Sequence, residues 1–214
     1  TIIVTGVSSF VGCHLASAFS KRGWSVVATL SRPCADYQGI RAKRLLSLSR
    51  REKLEVLDIT DEKETRGFIA KWQPSVWVHH AGFATDYASY NYDLKKATAI
   101  NVEPLFYIYD ELQKQKASGV VVTGSSMEYS NSDNICSEED ACFPAFPYGL
   151  SKLTETLAAL QLSSKTGLPT RVARLFIPFG PLDSEKKLFS VVLQKLKEKM
   201  PIDLSPCTQQ RDFS

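Results

Sequence analysis

The octapeptide Thr5-Gly6-Val7-Ser8-Ser9-Phe10-Val11-Gly12 decides how this chain is read. It follows TIIV, a β-branched run opening at Thr1, and leads into a segment with helical spacing near 10–22. Gly6 can take a tight strand-to-helix turn without a Cβ penalty, and Gly12 lets the helix press against a sheet. The helix N-terminus then offers free N–H groups and the positive end of its dipole to a pyrophosphate. Two glycines six apart mean little alone; their place at a strand–helix junction is what points to dinucleotide binding.

Outward from that turn, short apolar runs alternate with longer helical segments. The pattern predicts strands at 1–5, 25–30, 54–57, 75–79, 120–123 and 170–176, and helices near 10–22, 61–72, 93–116, 148–165 and 184–199. VWVH and VVVTG are apolar at consecutive positions, as in strands covered on both faces. The alternation predicts an α/β fold, a doubly wound parallel sheet with right-handed crossovers. The stretch from Asn131 to Pro147 reads as a long functional loop. Past Gly180-Pro181 the pattern changes. Residues 1–177 therefore read as a dinucleotide-binding catalytic domain and 178–214 as the beginning of a smaller lobe. The chain opens inside a strand-like run without Met and ends at QQRDFS, so a trimmed chain is expected.

Composition excludes several classes. A length of 214 residues buries enough apolar surface to fold without disulfide or metal staples. The net charge of +3 does not call for nucleic acid as a partner. No apolar run is long enough to span a membrane. The cysteines (Cys13, Cys34, Cys136, Cys142, Cys207) are odd in number and form no CxxC pair, which argues against a disulfide framework or zinc and for a cytoplasmic home.

The end of the second strand normally selects the dinucleotide, through a carboxylate that accepts from a free ribose 2′-hydroxyl. Here it runs Ala28-Thr29-Leu30-Ser31-Arg32. Ser31 and Arg32 suit a 2′-phosphate, so NADP is expected over NAD, with Asp36 the residue that could reverse this. The basic cluster that follows (Arg41, Lys43, Arg44, Arg50, Arg51, Lys53) reads mainly as a solvated face.

Tyr148 and Lys152 are four apart at the start of a predicted helix, so they project from one face. A nearby ammonium favours a phenolate. Lowering the tyrosine by about three units, about 4 kcal/mol, would make Tyr148 a competent acid/base near neutrality. Tyr92 and Lys96 repeat the spacing, but in a charged stretch where Tyr92 reads as surface or packing. Ser125 and Ser126 follow VVVTG at the carboxyl edge of a strand, where ligands sit in open α/β sheets. A serine hydrolase is excluded: Gly-x-Ser-x-Gly is absent and no His follows, the three being His14, His79 and His80. His79 and His80 are adjacent in a strand and face opposite sides, so they read as packed histidines beside a small-residue turn rather than metal ligands.

Taken together, these motifs resemble the extended short-chain dehydrogenase/reductases that act on nucleotide sugars. TGVSSFVG is similar to their TGxxGF[IV]G, LDITD to the third-strand signature, and VHHAG to VIHLAA. INVEP matches the helix that begins around Asn101, GSSMEYS is similar to SSxxxYG, FPAFPYGLSKLTE to PxxPYGxSKxxxE, RLFIPFGP to RxxNxYGP and QQRDF to RDF. The resemblance implies a Rossmann-type sheet with a substrate-binding lobe beginning at the C-terminal end. It implies a catalytic triad of Ser125, Tyr148 and Lys152, with Ser126 as the fallback serine and Arg211 on the substrate. Cofactor contacts fall on Gly6, Ser9, Phe10, Val11, Gly12, Ser31, Arg32, Asp58, Ile59, His79, Ala81, Gly82 and Asn101, and on Tyr148 and Lys152. Lys152 would hold the nicotinamide ribose. A homodimer through the helices near 93–116 and 148–165 is also implied.

Three departures refine this expectation. Ser9 replaces the middle Gly, putting a Cβ where the backbone approaches pyrophosphate; Ile177 stands where Asn is usual; and Glu128 comes one position too late to serve as a dehydratase acid. The expected function is therefore NADP-dependent hydride transfer to C4 of a nucleotide-linked 4-keto sugar. The alternatives are an NAD-dependent nucleotide-sugar 4-epimerase and, from another class, a non-catalytic NAD(P)-binding regulatory module.

Overall fold

The computed structural model describes residues 1–49, 51–129, 136–208 and 213. Six strands form one parallel sheet: β1 (Ile2–Val4), β2 (Val26–Leu30), β3 (Lys53–Val56), β4 (Val76–His79), β5 (Gly119–Ser125) and β6 (Thr170–Leu175). Their order is β3-β2-β1-β4-β5-β6, so the winding direction reverses between β1 and β4. That switch point opens a crevice at the carboxyl ends of the strands, where ligands bind in such sheets.

The helices α1 (Phe10–Lys21), α2 (Gly39–Ser47), α3 (Glu62–Trp72), α4 (Leu94–Ala97), α5 (Glu103–Lys114), α6 (Pro147–Thr166) and α7 (Leu188–Glu198) complete the architecture. Consecutive residues of β1 serve opposite cores. Ile3 joins Trp77, Val120 and Val122 under Leu105, Ile108, Leu112 and Leu162, while Ile2 and Val4 join Val26, Ala28 and Val78 under Ala16 and Leu45. Both faces are thus covered, which is why these strands read as unbroken apolar runs.

All six predicted strands are present. The helix expected near 93–116 divides into α4, a π-turn at Thr98–Val102 and α5, and α7 starts at Leu188 rather than near 184. Helix α2 was not expected, and one member of the basic cluster departs from the solvated face read for most of it. Arg44 is buried; its Nε donates to the Leu182 carbonyl at 2.9 Å and its terminal nitrogen to the Ser8 carbonyl at 3.3 Å. His14 Nε2 lies 2.8 Å from the Pro181 carbonyl, and Lys43 pairs with Glu185 at 3.5 Å. The segment after β6 is therefore strapped onto α1 and α2. Among the described residues no helix is long and apolar enough to cross a membrane.

Candidate active site

The turn after β1 is built as its sequence requires. Gly6 has φ +72°, and a Cβ there would lie 2.9 Å from the Ala81 Cα, so the β1 and β4 loops meet at a position only glycine can occupy. A Cβ on Gly12 would lie 2.5 Å from the Gly6 carbonyl oxygen. Ser9 is built into the cap of α1. Its φ is −78°, an ordinary value for any L residue, and its hydroxyl oxygen caps α1 by accepting from the Gly12 amide at 2.9 Å. The Ser9 amide donates to the Gly6 carbonyl. Of the N–H groups that no helical carbonyl can reach, those of Phe10 and Val11 are left to face an anion.

Ser9 also meets a residue that sequence reading did not connect to it. Its Oγ is 2.7 Å from His80 Nε2, and His80 Nδ1 is 2.9 Å from Thr123 Oγ1. Thr123 donates to the His79 carbonyl at 3.3 Å, so its oxygen is free to accept from Nδ1–H and Nε2 accepts from the Ser9 hydroxyl. Burial and the Lys152 charge hold His80 down to about 4, which keeps that ring neutral. Thr5 ties the same loops together: its Oγ1 donates to the Val78 carbonyl and accepts from the amides of His80 and Ala81, both at 2.8 Å.

Other expected cofactor residues divide by exposure. Ser31 and Arg32 are exposed beyond β2, with the guanidinium 4.4 Å above the Tyr37 ring. Asp58 is exposed, and its carboxylate accepts from the Thr60 amide and hydroxyl. Ala81 and Gly82 border the crevice. The side chains of Ile59, Asn101 and His79 are buried. Ile59 is packed in the core, and Asn101 is buried with its Oδ1 accepting from the Phe83 amide at 2.7 Å, anchoring the loop after β4. His79 is fully enclosed. Arg211 lies outside the described residues.

The acid–base residues converge at the carboxyl end of β5. Ser125 is its last residue and the N-cap of the short 3₁₀ turn Ser126–Glu128. Ser126 follows inside that turn. Glu128, fully buried, accepts from the Ser125 amide at 2.7 Å, from Thr156 Oγ1 at 3.0 Å and from Arg174 Nε at 2.9 Å. The residue one position too late to be an acid is thus the anchor of the serine. Pro147 opens α6 at its first turn. Gly149 then passes so close to the Met127 carbonyl that a Cβ would sit 2.1 Å from its oxygen. We expect Gly149→Ala to cost about 1–3 kcal/mol, from backbone displacement in a packed site. Activity should fall further than stability, because Tyr148 moves with α6; equal denaturation midpoints for the two proteins would refute this.

The rings of Tyr87 and Tyr92 stand edge-on to Tyr148, each at 5.6 Å, and Ser125 is the polar neighbour that favours its ionised form. Tyr92 is packing, as one of its two readings had it, and its hydroxyl donates to the Phe83 carbonyl at 2.7 Å. The expected depression of the Tyr148 pKa is overturned. Burial, then the Glu155 charge, push it up to about 12, against the pull of Ser125. Glu155 adds to burial because it also pairs with Lys152, whose Nζ sits 2.6 Å from Glu155 Oε2, so the ammonium charge is compensated. Glu155 closes the FPAFPYGLSKLTE stretch but was given no role from sequence, although its spacing of three from Lys152 on one helix was a usable signal. Burial raises Glu155 to about 7 against the pull of Lys152. Burial, then Lys152 and His80, lower His79 to about 3, against a weaker pull from the Asn101 backbone.

Comparison with known proteins places this arrangement. The model of the NAD dependent epimerase/dehydratase family matches residues 2–214. A Bacillus subtilis protein described as an uncharacterized UDP-glucose epimerase is 23% identical over all of this chain and 68% of its own length. The crystal structure of a UDP-glucuronic acid 4-epimerase from Bacillus cereus, in complex with UDP-glucuronic acid and NAD, matches with a TM-score of 0.80. It is 21% identical, over 100% of this chain and 68% of that one. A UDP-glucose 4-epimerase from Thermotoga maritima with UDP-glucose gives the same TM-score at 16% identity, over 99% and 68% of the two chains. With the phosphate-binding turn, the Ser-Tyr-Lys constellation and a family model matched over nearly every residue, the chain belongs to the NAD dependent epimerase/dehydratase family.

Proposed function

We propose that this chain carries the cofactor-binding and catalytic part of an NAD-dependent nucleotide-sugar 4-epimerase. The observation that carries the reading is the convergence of Ser125, at the end of β5, with Tyr148 and Lys152, one helical turn apart on α6. The relatives described as UDP-sugar epimerases, two of them in complex with UDP-sugars and one of those with NAD, support the epimerase over the reductase first expected. The amides of Phe10 and Val11 would hold the pyrophosphate, and Lys152 the nicotinamide ribose. When bound, the nicotinamide supplies a reversible hydride acceptor at the sugar carbon. Tyr148 takes the proton of the C4 hydroxyl as that carbon is oxidised and returns it when the opposite face is reduced. Ser125 hydrogen-bonds the same oxygen and keeps it at the phenol. Residues 178–214 begin the substrate-binding lobe. A cytoplasmic homodimer fits the exposed Phe106 of α5 and Leu150, Leu157 and Leu160 of α6.

A second reading, the NADP-dependent 4-keto-sugar reductase, is favoured by the exposed Ser31 and Arg32 at the end of β2. One experiment separates the two. The full-length protein is purified and denatured, and the released cofactor is identified by mass spectrometry. Stoichiometric NAD is expected, together with interconversion of UDP-hexose epimers without added cofactor. An empty site that binds NADPH at least about tenfold better than NADH, with that preference lost in Arg32→Ala, would replace the epimerase by the reductase.

A further inference from the structure

Beneath the acid–base pair lies a buried cluster that the proposed reaction does not use. Glu155 Oε2 is bonded to Lys152, but Oε1 is buried without a hydrogen-bond partner. Facing it at 3.9 Å is His79 Nε2, also buried and without a partner. Trp77 Nε1 donates to the other ring nitrogen, Nδ1, at 3.4 Å. In a neutral ring whose Nδ1 accepts, Nε2 must carry the hydrogen. A donor and an acceptor are therefore left pointing across a gap slightly too wide to close. Two buried polar atoms in that condition are costly, and such exceptions call for a function.

We propose that Glu155 is a positioning residue, a latch that holds the Lys152 ammonium inside the protein until a dinucleotide arrives. On cofactor binding Lys152 turns to the ribose hydroxyls. Glu155 then closes on His79 Nε2–H, exchanging one hydrogen bond for the other. While latched, Glu155 cancels the charge that would otherwise favour a Tyr148 phenolate, so the acid/base stays protonated in the empty site. The ionisable groups that act on Glu155 or face it are Lys152 on α6, His79 on β4 and Glu128 after β5, with Tyr148 and His80 at the margin. Lys152 is the one cation among them, which is why its position decides the balance. The inference rests on the cofactor reading above only for what releases the latch. The latched state itself is a property of the cofactor-free protein.

The test therefore begins without cofactor. In full-length protein labelled with ¹³Cζ-tyrosine, the Tyr148 resonance is assigned by its loss in Tyr148→Phe and followed through pH. Glu155→Gln should lower its ionisation midpoint by about one unit, and Glu155→Asp, which keeps the charge, should restore most of the wild-type value. An unmoved midpoint in the Gln variant, or an equal shift in both variants, would overturn the proposal. NADH fluorescence titration supplies the second readout. The wild type should bind more tightly at about pH 6 than at about pH 9, where Glu155 is ionised and competes for Lys152, and Gln should bind at least about threefold more tightly than wild type at the higher pH. If Gln does not fold, the wild-type titration decides: affinity independent of pH overturns the latch. Wild-type protein that binds no NADH, yet shows the Tyr148 shift, would sink the cofactor reading and leave the latch standing.

Discussion

Replacing Tyr148 by Phe is expected to lower turnover by about 10³-fold while leaving the fold and cofactor binding intact, the usual effect of deleting a general acid/base. The fold should survive because a phenyl ring keeps the edge-on contacts with Tyr87 and Tyr92. Only a hydroxyl is lost, so the melting temperature should drop by no more than about 4 °C. With its pKa near 12 in the cofactor-free protein, Tyr148 is fully protonated at neutral pH. It can act as the base that opens the cycle only when positive charge is delivered beside it. Steady-state turnover with a UDP-hexose, alongside a thermal melt, checks the expectation. Unchanged turnover would remove Tyr148 from the chemistry.

The second large effect concerns acid stability. His79 is buried with its pKa at about 3, whereas in the unfolded chain it returns to about 6.5. Between those values the unfolded state binds the extra proton, so the native state loses stability as pH falls from 6.5 toward 3. The slope is about 1.4 kcal/mol per pH unit, which amounts to about 3 kcal/mol by pH 4. Glu155 acts in the opposite direction, since its raised pKa makes the native state the better proton binder between about 4.5 and 7. His79→Gln isolates the first contribution. The stability difference between wild type and variant, measured by urea unfolding across this window, should move against the wild type by that slope. A difference independent of pH would refute the assignment.

The sheet was legible because its central strands β1, β2 and β4 are buried and appear as apolar runs, although the edge strand β3 is mostly exposed. Helix α2 was not, since Gly39–Ser47 has few apolar residues and its buried ones, Arg44 and Leu45, sit among exposed cations. A buried arginine is recognisable only through the carbonyls that hold it, and Leu182 lies far along the chain. The triad was legible because Tyr148 and Lys152 are neighbours on one helix. The electrostatic state of that triad was not. It depends on Glu155, whose charge is set by burial, and burial emerges only once β4 is seen beneath α6. His79 and Asn101 show the same limit: their types suited a crevice, but the fold turned both side chains inward.

Ser9 and His80 carry an implication for how this sequence came about. Each departs from the pattern it resembles, Ser for the middle glycine and His for the leucine of VIHLAA, and each is the other's hydrogen-bond partner. Either substitution alone breaks this partly buried bond, at a cost of about 0.5–1.5 kcal/mol. The two positions are therefore epistatic. A lineage can hold both or neither at little cost, but must cross a less stable intermediate to exchange one pair for the other.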